Sequence, residues 1–223
     1  MSSIAETGFM QRLLVTCLLM VVGCSHSPPP SAKLREDEFF QAASLGDLQT
    51  LRRGLSDGFS ANLKNSAGTT AAMVAAKAGQ SEALHVLHAG GADLSWTDAE
   101  GDNVMTFAIQ GRHRSVVETL LREGVIPDLP VYKNLTPLIV ALVRNQVGIA
   151  EALVKAGANV NFIDPDGDTP LIIATEKSQE DLIEPLLRAG ADRKFKDADG
   201  KTALDLAFES RNSRLVAKLK GAR

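Results

Sequence analysis

Four histidines and two cysteines are the side chains in this sequence with the greatest capacity for metal or covalent chemistry. His85 and His88 are three residues apart, a spacing that places both imidazoles on one face of a helix. A metal ion would need further ligands held beside them, and the sequence offers no cysteine and no evident carboxylate for that role. We therefore interpret the pair as surface residues of a helix and predict no metal site.

The stretch DPDGD at residues 164–168 places alternate carboxylates ahead of a glycine, as calcium loops do. A calcium loop has its glycine at position 6 and a bidentate glutamate at position 12. Counted from Asp164, the glycine is fourth and the twelfth residue is Thr175. An aspartate ahead of a glycine also accepts hydrogen bonds from its own turn. We favour the turn, so no cofactor is predicted.

No catalytic signature accompanies these residues. The sequence contains no H-E-x-x-H or phosphate-loop pattern. Its formal net charge is −3 and it has no basic block, whereas nucleic-acid-binding domains present a clustered positive face. We therefore predict a protein that is not an enzyme and does not bind nucleic acid.

The beginning of the chain predicts a targeting segment. Residues 13–22 form an apolar run too short to span a bilayer, which takes about 20 residues, and residues 1–23 are interpreted as a signal peptide. Residues 24–35 include a proline- and serine-rich stretch and are predicted to form a tether. The alternative is a buried hydrophobic helix followed by a loop, which would leave this stretch with nothing to pack against.

The sequence VVGC at residues 21–24 resembles the lipobox of bacterial lipoproteins. The resemblance implies cleavage before Cys24 and attachment of lipid to its sulfur and its new amino group. Ser25 follows, whereas aspartate at that place is the usual signal for retention in the inner membrane. We therefore expect a protein anchored in the bacterial outer membrane and facing the periplasm. Cys17 lies in the predicted signal peptide, so the mature chain would contain no free thiol.

Three sets of residues recur every 33 positions and indicate an internal repeat. The first set marks turns and consists of Gly68, Gly101, Asn134, Gly167 and Gly200. The second also marks turns and consists of Gly58, Gly91, Gly124, Gly157 and Gly190. The third consists of potential helix N-caps: Thr70, Asn103, Thr136, Thr169 and Thr202. Pro137 and Pro170 follow two of these caps, where proline costs least.

The motifs GDTPL at residues 167–171 and GANVN at residues 157–161 resemble the consensus of ankyrin repeats. The resemblance covers about residues 36–223. It implies an all-α ankyrin-repeat solenoid of helix-turn-helix units with short hairpin loops, with about four full repeats between N- and C-terminal capping repeats. A single two-helix unit cannot cover its own apolar face, so the units are expected to stack.

Each unit is expected to contain a short first helix, a glycine turn, a longer second helix and a hairpin. The first helices are predicted near residues 36–44, 71–78, 104–111, 137–144, 170–177 and 203–209. The second helices are predicted near residues 47–55, 81–89, 114–122, 147–155, 180–188 and 212–220. Apolar stripes on the second helices are expected in the core: Val116, Val117, Leu120 and Leu121, and Leu182, Ile183, Leu186 and Leu187.

The ankyrin consensus has a histidine, after its T-P-L motif, that bonds neighbouring turns. The corresponding residues here are Met73, Thr106, Ile139, Ile172 and Asp205. We therefore expect packing to replace part of the polar network between repeats.

Ankyrin stacks usually bind partners on the concave face formed by hairpin tips and first helices. Carried over by position, the resemblance implies these binding residues at the tips: Glu100, Asp102, Tyr132, Lys133, Leu135, Asp166, Asp168, Asp199 and Lys201. On the first helices it implies Gln110, Arg144, Glu176 and Lys177. Tyr132 is the expected aromatic anchor. The tip carboxylates fit a basic partner and solvated turn residues equally well.

A further ladder with the same spacing consists of Trp96, Leu129, Phe162 and Phe195. A row of large apolar groups can form a binding stripe or can pack hairpin against hairpin. We favour packing, because each side chain has a neighbour on the next hairpin.

Together these features predict a monomeric, lipid-anchored periplasmic module that binds another protein, as an immunity or inhibitor protein or as the protector of a periplasmic enzyme. The alternative is a secreted effector that acts on host proteins, against which the lipobox argues. An enzyme would need a convergent cluster of titratable groups, and the sequence shows none.

Overall fold

The structure is a computed structural model that describes residues 34–131 and 135–221. These residues form twelve α-helices in pairs, and no strand occurs among them. The first helices of the pairs are α1 (Glu36–Leu45), α3 (Ala71–Ala78), α5 (Val104–Gln110), α7 (Pro137–Val143), α9 (Pro170–Glu176) and α11 (Ala203–Glu209). The second helices are α2 (Leu48–Ser56), α4 (Ser81–Ala89), α6 (Arg114–Arg122), α8 (Val147–Lys155), α10 (Glu180–Arg188) and α12 (Ser213–Gly221). The predicted all-α repeat architecture is confirmed, and each predicted helix end lies within one residue of the observed end.

The predicted N-caps begin five of the first helices. Each cap side chain accepts a hydrogen bond from the backbone N–H three residues later, at 3.1 Å for Asn103 and 3.5 Å for Thr169. These bonds satisfy N–H groups that a helix start leaves without an intrahelical partner. Pro137 and Pro170 are the first residues of α7 and α9, where their missing N–H removes no helical bond.

The corner between the two helices of a unit requires a left-handed residue, but that residue is glycine only in the first two units. Gly46 and Gly79 have φ of 74° and 82°. The corresponding residues of the later units are Arg112, Asn145, Ser178 and Arg211, with φ between 54° and 61°. The predicted glycine turn is therefore wrong for these four units. The helices on both sides hold the corner in place, and the left-handed conformation costs a non-glycine residue only about 1–2 kcal/mol.

The core runs between successive units. Val116, Val117 and Leu120 of α6 are fully buried. The matching residues of α10, Leu182, Ile183 and Leu186, are fully buried as well. The last residue of each predicted stripe, Leu121 or Leu187, is only half-buried. First helices pack on first helices and second helices on second helices, which confirms that the units stack. None of the described helices has the length and apolar character needed to cross a membrane.

A ladder of polar side chains links the repeats and was missed in the sequence. It lies at the start of the second helices and consists of Gln80, His113, Gln146 and Gln179. Each side chain forms a hydrogen bond with a carbonyl near the end of the first helix of the preceding unit. Gln179 Nε2 donates to the Leu142 carbonyl at 2.7 Å, and Gln146 Nε2 donates to the Ile109 carbonyl at 2.9 Å. These bonds add a side-chain donor to carbonyls at the helix ends, so the polar network between repeats moves to a new position and is not simply lost to packing.

The positions of the missing consensus histidine divide into two groups. The side chains of Met73, Thr106 and Asp205 each accept a hydrogen bond from the backbone N–H of the N-cap residue, which completes a capping box. Ile139 and Ile172 are buried in the core. The expectation that packing replaces the histidine therefore holds at these two isoleucines.

Pro185 lies inside α10. An ordinary residue there would donate its N–H to the carbonyl of Asp181, whereas proline has no N–H and its ring crowds that carbonyl. Proline in a helix interior costs roughly 3 kcal/mol relative to alanine, so Pro185→Ala is expected to raise the midpoint of thermal unfolding. Scanning calorimetry measures the difference. A lower midpoint in the variant would mean that packing of the ring outweighs the missing hydrogen bond.

Candidate protein-binding surface

The hairpin tips and first helices share one face, which the family resemblance identifies as concave. Two rows of side chains define this concave face. One row directly precedes the N-caps and consists of Thr69, Asp102, Leu135, Asp168 and Lys201. The other lies near the ends of the first helices and consists of Lys77, Gln110, Val143, Glu176 and Glu209. Members of the two rows meet within a unit: Gln110 Nε2 donates to Asp102 Oδ2 at 3.0 Å, and Lys201 Nζ lies 2.8 Å from Glu209 Oε2.

The fourth unit, which contains α7, differs from the others because both of its row members are apolar. Leu135 is half-buried and Val143 is 50% exposed. Val140 of α7 lies between them in sequence and is nearly buried. The concave face therefore has an apolar centre, and exposed apolar area next to polar residues is typical of interaction sites.

Asp102 is only 5% exposed although it lies at a hairpin tip. One of its oxygens accepts from Gln110, and Oδ1 has no hydrogen-bond partner among the described residues. Burial, and then the neighbouring charge of Asp98, raise the pKa of Asp102. The carboxylate lines a groove of about 440 Å³ together with Lys77 and Phe107. A buried carboxylate oxygen without a partner is costly, so a cation beside this groove would be favourable.

Asp168, two units further along, is half-buried. Burial is the first cause that raises its pKa, to about 6, and the charges of Glu176, Asp164, Asp197 and Asp166 follow. The largest charge effects on Asp168 therefore all come from carboxylates. No cation is among these contributors, and this part of the concave face carries negative charge.

The exposed tip residues belong to tight turns. Asp164 Oδ1 accepts from the backbone N–H groups of Asp166 and Asp168, at 3.0 and 2.9 Å. The same pattern places the exposed Glu100 and Asp199 at the tips of their hairpins. This geometry agrees with the interpretation of residues 164–168 as a turn, because the Asp164 oxygen accepts hydrogen bonds from the backbone of its own turn.

Among the remaining predicted residues, Arg144 and Lys177 are exposed at the ends of α7 and α9. Tyr132, Lys133 and Cys24 lie outside the described residues, and their roles stay predictions. Sequence reasoning missed Val143. Comparison of the repeats could have revealed it, because the equivalent position in other units holds a polar residue: Lys77, Gln110, Glu176 and Glu209.

His85 and His88 have a carboxylate neighbour that the sequence did not reveal. His85 Nδ1 lies 2.7 Å from Glu123 Oε1, and His88 Nε2 lies 3.8 Å from Glu123 Oε2. The hydrogen bond with His85 is the main cause that lowers the pKa of Glu123. Among the described residues, no group of three or more potential ligands is arranged to hold a metal ion. The three side chains form a contact between neighbouring units.

The side chains of the apolar hairpin ladder are partly covered within the fold. Leu129, Phe162 and Phe195 are half-buried, as expected for packing between hairpins. Trp96 is 37% exposed, and Lys64 Nζ lies 3.2 Å from the centre of its ring. A cation over an indole face is stabilising, so this end of the ladder is covered by Lys64.

Asp168→Asn is expected to stabilise the fold in a pH-dependent way. The folded-state pKa of about 6 lies above the ordinary value near 4, so the folded state binds the proton more tightly than the unfolded state does. The free energy of unfolding therefore falls as the pH rises from about 4 to about 6, and the loss is complete above pH 6. Solvent screening limits this loss to about 1 kcal/mol.

Denaturant titrations of wild type and Asp168→Asn at pH 7.5 and at pH 4 measure this effect. The variant should be the more stable protein at pH 7.5, and its advantage should be absent at pH 4. An advantage of equal size at both pH values would rule out ionisation as its cause.

Comparison with known families fits this geometry. The profile for "Ankyrin repeats (3 copies)" matches residues 39–130, 73–164, 116–197 and 138–222. The chain belongs to the ankyrin-repeat family. A putative ankyrin repeat-containing protein of Treponema pallidum is 30% identical over 125 residues, which cover 56% of this chain and 42% of that protein. The chain spans less than half the length of the curated relatives that it matches.

Two solved structures extend the comparison. An ankyrin repeat domain from Acinetobacter baumannii is 29% identical with a TM-score of 0.74, and the match covers 84% of this chain and 98% of that one. A chain from the complex of a predatory endopeptidase with an immunity protein of Bdellovibrio bacteriovorus is 26% identical with a TM-score of 0.69, covering 86% and 100%. Ankyrin repeats bind other proteins and are generally not enzymes, and this chain is a protein–protein interaction module.

Proposed function

We propose that this chain is a lipid-anchored periplasmic protein that binds a partner protein on its concave face. In this proposal it acts as an immunity or inhibitor protein, or as the protector of a periplasmic enzyme. The anchor is the lipid on Cys24, the tether is residues 24–35, and the binding domain is residues 36–223.

The observation that carries the binding proposal is the apolar centre of the concave face. Val143 is half exposed at a position where the other units place charged or polar side chains. An exposed apolar side chain gains free energy when a partner covers it, and the polar residues around it can form the rim of an interface.

The immunity or inhibitor role is supported by the likeness to a chain from the endopeptidase–immunity protein complex. The match covers the whole of that chain and most of this one. An enzyme that is released or active in the periplasm is therefore the kind of partner that we propose.

Capture from the native periplasm with the full chain, followed by purification of the captured protein, tests the role. An immunity or inhibitor protein should suppress the enzymatic activity of its partner when the two are mixed in equal amounts. A protector should leave the activity intact and slow its loss on heating. A captured partner whose activity and heat stability are both unchanged would contradict the two roles.

Cys24→Ala is expected to abolish lipid attachment, because it removes the only sulfur that the lipobox presents to the lipidating enzyme. Wild type should take up labelled palmitate and sediment with the outer membrane, and the variant should do neither. Cys17→Ala is the matched control and should keep the label, while Ser25→Asp should move the protein to the inner membrane. Soluble, unlabelled wild type would contradict the anchor.

A further inference from the structure

We propose that the partner segment bound on the concave face is basic and apolar: one aliphatic side chain on the fourth unit, with a lysine or arginine on each side, one at the groove of Asp102 and one at Asp168. This inference rests on the proposed binding function and adds the chemistry of the partner. It also decides between the two interpretations of the tip carboxylates that the sequence left open.

The apolar part of the site is Leu135 with Val143. Both side chains lie in the rows that form the concave face, and Val143 exposes half of its surface. In the flanking units the equivalent residues are the hydrogen-bonded pair Asp102 and Gln110 and the acidic pair Asp168 and Glu176. Among the described members of the two rows, an aliphatic partner side chain therefore has one matching position, the fourth unit.

The first cationic position is the groove at Asp102. Its Oδ1 has no hydrogen-bond partner among the described residues, while Asp98 and Glu100 add negative charge in the same groove. Lys77, the cation that lines the groove, lies with its Nζ 5.7 Å from the centre of the Phe107 ring. A guanidinium or ammonium group from a partner would neutralise the negative charge of this cluster.

The second cationic position is Asp168. Glu176 lies in the same unit on the same face, Asp164 lies in the turn of Asp168 itself, and Asp197 lies in the next hairpin turn. In the last unit the residues at the positions of Asp168 and Glu176 are Lys201 and Glu209. They pair at 2.8 Å and neutralise each other. Charge complementarity therefore selects a cation at the fifth unit, and not at the sixth.

The distance between the two positions sets the spacing of the basic residues. Packed helices lie about 8–10 Å apart, so the third and fifth units place Asp102 and Asp168 roughly 16–20 Å apart. An extended chain advances about 3.3 Å per residue, which corresponds to basic residues about five or six positions apart. The aliphatic residue lies midway between them.

Fluorescence anisotropy with the purified full chain tests this proposal on two labelled peptides of about eight residues. One has two arginines five positions apart with a leucine between them, and the other has glutamates in place of the arginines. The arginine peptide should bind at least about tenfold more tightly, and added salt should weaken it. Asp102→Asn and Asp168→Asn should each weaken it about threefold or more, and Glu118→Gln on α6 should not.

Equal binding of the two peptides, no binding of the arginine peptide, or unchanged affinity in both aspartate variants would overturn the proposal. Its failure can be told apart from failure of the proposed function by using the captured partner. If Val143→Glu abolishes capture and the two aspartate variants do not affect it, the partner binds the concave face without this charge pattern.

Discussion

Replacing Leu120 by alanine is expected to lower the free energy of unfolding by roughly 2–5 kcal/mol. Leu120 lies on α6 in the middle of the stack, and its side chain is fully buried. The truncation removes apolar contacts and leaves a cavity, because helices α4 and α8 hold the space open on both sides. Urea denaturation followed by circular dichroism measures the change.

Leu121→Ala is the matched control for this prediction. It removes the same atoms from the next residue of the same helix, but Leu121 is only half-buried. Its effect on the free energy of unfolding should be clearly smaller. If the two variants were equally destabilised, the assignment of Leu120 to the core between units would be wrong.

Helix positions and caps were predictable because they depend on short-range chemistry repeated at a fixed interval. The side chains of Thr136 and Thr169 accept hydrogen bonds from backbone N–H groups three residues later, and Pro137 and Pro170 mark the same helix start. Because the pattern recurs from unit to unit, one exceptional residue does not obscure it. Each helix could therefore be placed within one residue.

The corners and the bonds between units were less predictable, because a neighbouring unit decides them. Ser178 adopts φ of 54° although glycine is the residue expected there. Gln179 bonds to a carbonyl 37 residues earlier, and no local pattern marks that partner. The contact of His85 with Glu123 spans 38 residues for the same reason.

The candidate site was predictable as a face but not in its details. Position within the repeat placed Asp102 at a tip, whereas its burial and its bond to Gln110 emerge only from the folded unit. Val143 became visible as part of the apolar centre once its exposure was known. Tip charge alone did not distinguish the turn residue Asp164 from Asp168, which has acidic neighbours on several sides.

Val143→Glu is expected to weaken binding of the captured partner about 30-fold or more, equivalent to about 2 kcal/mol, the range of a central interface residue. The change buries a charge in the apolar centre of the interface. It should leave the fold intact, because Glu176 and Glu209 occupy the same register position in the next two units. Ile126→Asp is the matched control: Ile126 is 64% exposed outside the two rows, and Asp93 and Asp192 hold its register position.

Isothermal titration of the captured partner with wild type, Val143→Glu and Ile126→Asp is the most direct test of binding on the concave face. We expect the affinity to fall only for Val143→Glu, with unchanged circular dichroism and unchanged unfolding midpoints in both variants. Unchanged affinity for Val143→Glu, or a loss confined to Ile126→Asp, would contradict binding on this face.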